Sequence, residues 1–132
     1  MPSYTLFCPC LDTSPRIARD FVASVLRAQQ LHDLVEPATL CTSELVTNAC
    51  VHAKGIGSLV RLAIDASDVR VTVYDGEQSP PVMQQGYDGE GGRGMWIVDA
   101  VTEGRWGTDT GTPLALGDLN GKGVWFELIS PN

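Results

Sequence analysis

The stretch Glu44-Leu45-Val46-Thr47-Asn48-Ala49-Cys50-Val51-His52-Ala53 decides how the rest of the chain is read. Placed on a helix at about 100° per residue, Leu45, Val46, Ala49, Cys50 and Ala53 share an apolar arc with Ala38. Cys41, Glu44, Asn48 and His52 cluster on another arc. The apolar arc predicts a packed helix from about Pro37 to Ala53, ended by the glycine-rich Lys54-Gly55-Ile56-Gly57-Ser58. Glu44 and Asn48 lie one turn apart and emerge on the same side. A carboxamide oxygen can ligate a hard cation such as Mg²⁺, and a carboxylate can accept a proton from an attacking hydroxyl. An exposed polar helix face carries the same pair, so the surrounding elements have to decide between the two readings.

On the N-terminal side, Tyr4 to Phe7 predicts a short strand. Asp12-Thr13-Ser14-Pro15 is a helix start, with Ser14 able to cap and Pro15 preset for the first helical position. Ile17, Phe21 and Val25, with Ala18, Val22 and Leu26 beside them, extend that helix to about Leu31 with one broad apolar face. On the C-terminal side, Val60, Leu62 and Ile64 alternate, Ala66-Ser67-Asp68 turns, and Val69, Val71 and Val73 alternate again, which predicts a hairpin. From Gly76 to Gly94 the chain is rich in Gly, Pro and Gln and too long for an ordinary connection, so it reads as a functional loop. A short helix from about Met95 to Val101, a weak strand at Arg105-Trp106-Gly107, a turn-rich stretch from Thr108 to Gly123 and a closing strand Val124 to Ile129 follow. This order predicts an α+β two-layer sandwich, a mixed sheet with its helices on one face.

The composition supports one ordinary domain over residues 1–132. The chain holds 132 residues, 43% of them hydrophobic, with 9 Lys and Arg against 16 Asp and Glu, a formal charge of −7. At this length a core forms without metal or disulfide staples. The acidic balance argues against a general nucleic-acid or membrane-surface binder, which needs basic patches, but not against a nucleotide held locally by backbone N–H groups and a metal. No apolar run approaches a membrane span and the N-terminus carries no basic leader, so a cytoplasmic protein is expected. Cys8, Cys10, Cys41 and Cys50 are irregularly spaced and, with His32 and His52, complete no zinc pattern; reduced thiols are expected. Trp96, Trp106 and Trp125 are expected to pack rather than stack on a ligand.

Three further elements carry chemistry. Asp75 ends an alternating strand and opens the long loop, where its carboxylate can accept a hydrogen bond from an exocyclic amine or simply form a turn with Gly76. Gly91-Gly92-Arg93-Gly94 leads into a helix: glycines permit close backbone approach, a helix start offers N–H groups, and Arg93 adds a charge-assisted contact to a phosphate. A flexible hinge has the same composition. The stretch is neither a Rossmann fingerprint nor a Walker loop. Gly121-Lys122-Gly123 reads as a hairpin turn before the closing strand.

The order of these elements resembles the GHKL superfamily of ATP-binding domains, and within it the small anti-sigma-factor serine/threonine protein kinases. Glu44-Leu45-Val46-Thr47-Asn48-Ala49 with His52-Ala53 resembles the N box; Val71-Thr72-Val73-Tyr74-Asp75 resembles the first glycine box, Gly92-Arg93-Gly94-Met95-Trp96-Ile97-Val98 the second, and Gly121-Lys122-Gly123-Val124-Trp125-Phe126-Glu127-Leu128 the last. The resemblance implies that Asn48 binds Mg²⁺, Glu44 is the general base, Asp75 contacts the adenine amine, and Gly92 and Gly94 line the phosphates; Arg93 joins them by its charge. It implies a GHKL sandwich that binds ATP and Mg²⁺ and phosphorylates an anti-anti-sigma, STAS-like partner, with a sigma factor as a further partner and a homodimer as an assembly. The alternative is a non-catalytic partner-binding switch. Its support is the departure of Glu77 and Ser79 from two glycine positions of the first box, and of Gly123 from a common threonine, which implies a missing hydroxyl near the adenine.

Overall fold

The computed structural model describes residues 2–52, 57–75, 90–110 and 122–131. Along the chain run β1 (Ser3–Cys8), α1 (Ser14–Ala28), a 3₁₀ turn (His32–Leu34), α2 (Val35–His52), β2 (Ser58–Asp65), β3 (Asp68–Asp75), α3 (Glu90–Thr102), β4 (Trp106–Thr110) and β5 (Lys122–Ile129). The strands form one sheet in the order β1-β2-β3-β5-β4.

The period-two alternation of the strands sets which face is covered. Val60, Leu62 and Ile64 of β2, Val69, Val71 and Val73 of β3, and Val124, Phe126 and Leu128 of β5 are all buried in one core with residues of the helices. Antiparallel partners project to the same side, so the registers Val60↔Val73, Leu62↔Val71, Val71↔Phe126 and Val73↔Val124 place these side chains in adjacent rows under the helices. The two-layer α+β sandwich is therefore as expected. The sheet itself is not mixed: every pairing of the described strands is antiparallel. β4 runs parallel to β3, but β5 is inserted between them, so no parallel ladder forms.

Two helix boundaries differ from the sequence expectation for local reasons. Ser14 lies inside α1, and Thr13 holds the cap position without a side-chain cap bond. The Ser14 hydroxyl instead donates to the Pro9 carbonyl and accepts from the Leu11 N–H at 3.3 Å, so it folds the preceding loop back on the helix. At the other end α1 stops at Ala28. Gln30 adopts φ 61°, its N–H donates to Arg27 O, and the Leu31 N–H donates to Leu26 O at 2.8 Å. That paired pattern is a Schellman ending with glutamine in the glycine position. The buried row of α1 is Ala18, Val22 and Leu26, whereas Ile17, the first residue of the neighbouring expected stripe, is 51% exposed.

The opposite face of the sheet is closed by side chains. Arg70 stacks 4.1 Å from the Trp125 ring centroid and pairs with Glu127 at 2.9 Å. A Cβ on Gly107 would lie 2.7 Å from the Trp125 indole, so the indole rests directly on the bare backbone of β4. Trp106 faces the other way, and its Nε1 donates to Asp99 Oδ1 at 2.8 Å, which ties β4 to α3.

Candidate functional site

α2 packs on the sheet between α1 and α3. Its buried residues Ala38, Cys41, Leu45, Val46 and Ala49 leave Glu44 and Asn48 half-buried on the side that meets α3. Cys41 belongs to the core rather than to the polar arc, since it has no exposed surface. Burial, with a smaller contribution from the charge of Glu44, pushes its thiol up to about 12.

The first turn of α3 lies directly against that polar pair. A Cβ on Gly94 would sit 3.0 Å from Glu44 Oε1, 3.1 Å from Asn48 Nδ2 and 3.5 Å from Asn48 Oδ1. Any other residue at 94 would push both side chains aside, so the missing side chain creates a small cradle with a carboxylate and a carboxamide on its wall. The Gly91 to Gly94 segment is not a loop ahead of the helix as the sequence suggests; α3 begins at Glu90 and takes Gly91, Gly92, Arg93 and Gly94 into its first turn. The free N–H groups of that turn are the ones a helix leaves without internal partners. The side chain of Arg93 lies outside the described residues, as do Glu77 and Ser79.

Asp75 ends β3 with only 2% exposure and faces the helix layer, in line with Val73 and Val71. Its cross-strand partner in the register is Lys122, whose Nζ lies 3.3 Å from Oδ1 and 3.5 Å from Oδ2. Asp75 also lies close to α2. The thiol of Cys50, two residues past Asn48, is pushed up to about 12 first by burial, then by the Cys10 side chain that hydrogen-bonds it, and in smaller part by the charges of Cys10, Cys8 and Asp75. The structure thus brings Glu44, Asn48 and Gly94 into one cradle and sets Asp75 on the adjoining strand end.

Sequence reasoning missed two residues here. Lys122 reads as a turn residue, yet it stands two positions before Val124 and four before Phe126, so the strand alternation continued backward puts it on the covered face. Ser58 occupies the matching place on β2, one residue beyond the Leu59↔Tyr74 pair and therefore beside Asp75. Gly123, by contrast, faces outward, where a Cβ would meet the Tyr74 ring at 2.8 Å. A side chain at 123 would therefore stand on the face of the sheet away from Asp75.

Hard oxygen donors at the cradle, the Asn48 carboxamide and the Glu44 carboxylate, suit Mg²⁺. Among the described residues, no helix is long and apolar enough to cross a membrane. A search of curated proteins finds no match. The profile of the histidine kinase-like ATPase domain, by contrast, matches residues 9–112, from the loop after β1 to just past β4. Since that match spans well over half of the chain, the protein belongs to the histidine kinase-like ATPase domain family, and ATP binding is the activity that this membership supports.

Proposed function

We propose that the protein is a Mg²⁺-dependent ATP-binding kinase of the anti-sigma-factor type, which transfers phosphate to a serine or threonine hydroxyl of an anti-anti-sigma, STAS-like partner. The observation that carries this reading is the convergence of Glu44, Asn48 and the bare Cα of Gly94. A carboxylate and a carboxamide meet the start of a helix there, and the absence of a side chain lets the helix backbone lie directly against both.

In this reading Asn48 holds Mg²⁺, which supplies charge neutralisation to the phosphate oxygens. Glu44 orients the incoming hydroxyl and accepts its proton. The free N–H groups that open α3, that of Gly92 among them, bind the nucleotide tail, Arg93 adds its charge, Gly94 lines the phosphates, and Asp75 accepts a hydrogen bond from the adenine amine. One turn before Glu44 on the same side of α2, Leu40 opens into a cleft lined by Arg19, Glu36, Pro37, Thr39 and Val101. That cleft gives a partner segment room to present its hydroxyl next to Glu44.

The test is phosphate transfer from labelled ATP to candidate STAS-like partners, with Glu44→Gln beside the wild type. A general base contributes about 10²–10⁴-fold, so transfer should fall by that order while MgATP still stabilises the fold. Stabilisation by MgATP without transfer to any such partner identifies the non-catalytic switch instead.

A further inference from the structure

The fold gathers three cysteines that are scattered in the sequence. Cys8 ends β1, Cys10 stands in the loop that follows, and Cys50 lies in the C-terminal half of α2. Cys8 is the register partner of Ser58 and is buried with it, so its side chain belongs to the covered face at the end of the sheet. Cys50 reaches the same place from α2, where it feels the charges of Cys8 and Asp75, and its side chain is hydrogen-bonded to that of Cys10. All of these thiols are free.

The pair Cys10 and Cys50 combines access with fixed placement. Cys10 is exposed and Cys50 half-buried behind it. The loop is held on either side of Cys10: the Leu11 N–H donates to the Pro9 carbonyl and the Ser14 N–H to the Leu11 carbonyl, each at 3.0 Å. Within that frame Cys10 itself belongs to neither helix nor strand, so its side chain can turn toward Cys50 without breaking a ladder bond. A sulfur–sulfur bond of about 2.0 Å is shorter than a thiol hydrogen bond, and this turn supplies the remaining approach. No group of three His, Cys, Asp or Glu among the described residues is placed to hold a metal ion, so the arrangement favours sulfur–sulfur chemistry over metal ligation.

We propose that Cys10 and Cys50 are a reversible thiol pair, in which Cys10 captures a low-molecular-weight disulfide and Cys50 resolves the adduct into an intramolecular disulfide. The exposed Cys10 thiolate attacks one sulfur of the small disulfide, forms a mixed disulfide and releases one thiolate. The Cys50 sulfur then loses its proton, attacks the Cys10 sulfur and expels the second small thiolate. Two electrons pass from the cysteine pair to the small disulfide, and the two cysteine protons end on the two released thiols. The new bond ties the β1–α1 loop to α2 two residues past Asn48, so the modification falls on the helix that carries the candidate site. The inference stands whether or not the protein is a kinase.

The test incubates the full-length chain with oxidised glutathione and maps its cysteine peptides without reduction, for the wild type, Cys10→Ser, Cys50→Ser and Cys8→Ser. The wild type should show a Cys10–Cys50 cross-link that dithiothreitol reverses, with Cys8 and Cys41 still reduced. Intramolecular resolution should make the glutathione adduct on Cys10 about ten-fold scarcer in the wild type than in Cys50→Ser. Cys8→Ser should cross-link like the wild type. Cys10→Ser, altered only at an exposed loop position, should stay folded and leave Cys50 reduced. A wild type that accumulates the Cys10 adduct with Cys50 reduced overturns the inference, as does a cross-link through Cys8 or between two chains, or a Cys10→Ser variant in which Cys50 is oxidised as fast as in the wild type.

Discussion

Lys122 Nζ lies 3.3 Å from Asp75 Oδ1 across the β3–β5 ladder, with the two side chains only 11% and 3% exposed. The pair joins the end of one strand to the start of another at a point where almost no water reaches either charge. Removing one partner takes a counter-charge from the other where water cannot replace it, and breaking a buried pair costs about 3–5 kcal/mol. Lys122→Met should therefore lower the urea midpoint sharply, and Asp75→Asn combined with Lys122→Met should recover much of the loss. A double variant no more stable than Lys122→Met would show that the pair is not what holds the two strand ends together.

Gly94→Ala separates stability from binding. In a helix, alanine is preferred over glycine by about 0.5–1 kcal/mol, but the added Cβ falls 3.0 Å from Glu44 Oε1 and 3.1 Å from Asn48 Nδ2. Thermal unfolding without nucleotide should change little in either direction. Isothermal titration with MgATP should show the affinity reduced by ten-fold or more, because the displaced side chains then occupy the cradle.

At the end of α1, Gln30 holds φ 61° in a Schellman motif whose usual residue is glycine. A side chain in the left-handed region costs roughly 1–2 kcal/mol, part of which glycine returns through its greater freedom in the unfolded chain. Gln30→Gly should raise stability by about 0.5–1 kcal/mol in urea unfolding, with nucleotide binding unchanged. A destabilised Gln30→Gly would mean that the glutamine side chain contributes contacts that outweigh its backbone cost.

Alkaline pH should weaken the fold through Cys41. Its thiol is raised from 9.0 to about 12 by burial and by Glu44, so between those values the native state keeps a proton that the unfolded state has lost. Stability from this group is intact below pH 9 and falls as the pH rises toward 12, by at most about 1.4 kcal/mol per pH unit. Urea unfolding at pH 8, 9 and 10 should show that decline, and Cys41→Ala should make it shallower, leaving the share of Cys50, whose thiol is also raised to about 12. In the same range Cys10, which is exposed, should be alkylated well before the buried Cys41.

Alternation and helical periodicity carried most of the architecture. Val60, Leu62, Ile64, Val69, Val71 and Val73 announce their face by spacing alone, and the structure buries all six. The pairing of Glu44 with Asn48 was equally legible, since one helical turn fixes their relation without reference to the rest of the chain. Gly94 could be placed near them only by analogy, because its approach depends on how α3 packs on α2. Lys122 and Ser58 were hidden for another reason. Each sits at a strand end where the local composition suggests a turn, and its neighbours lie on other strands. The antiparallel character of the whole sheet was also beyond local reading, as it depends on β5 entering between two strands that precede it.

That insertion has a consequence for the order in which the molecule can be made. β1, β2 and β3 can pair as soon as they leave the ribosome, but the inner edge of β3 stays open and β4 has no neighbour until β5 arrives. Asp75 meanwhile lacks its counter-charge from Lys122. During synthesis the chain thus passes through a stage with an unpaired central strand edge and a strand-end carboxylate without this counter-charge. Both are resolved in the same event, the arrival of β5, so completing the sheet and burying the Asp75–Lys122 pair are one step.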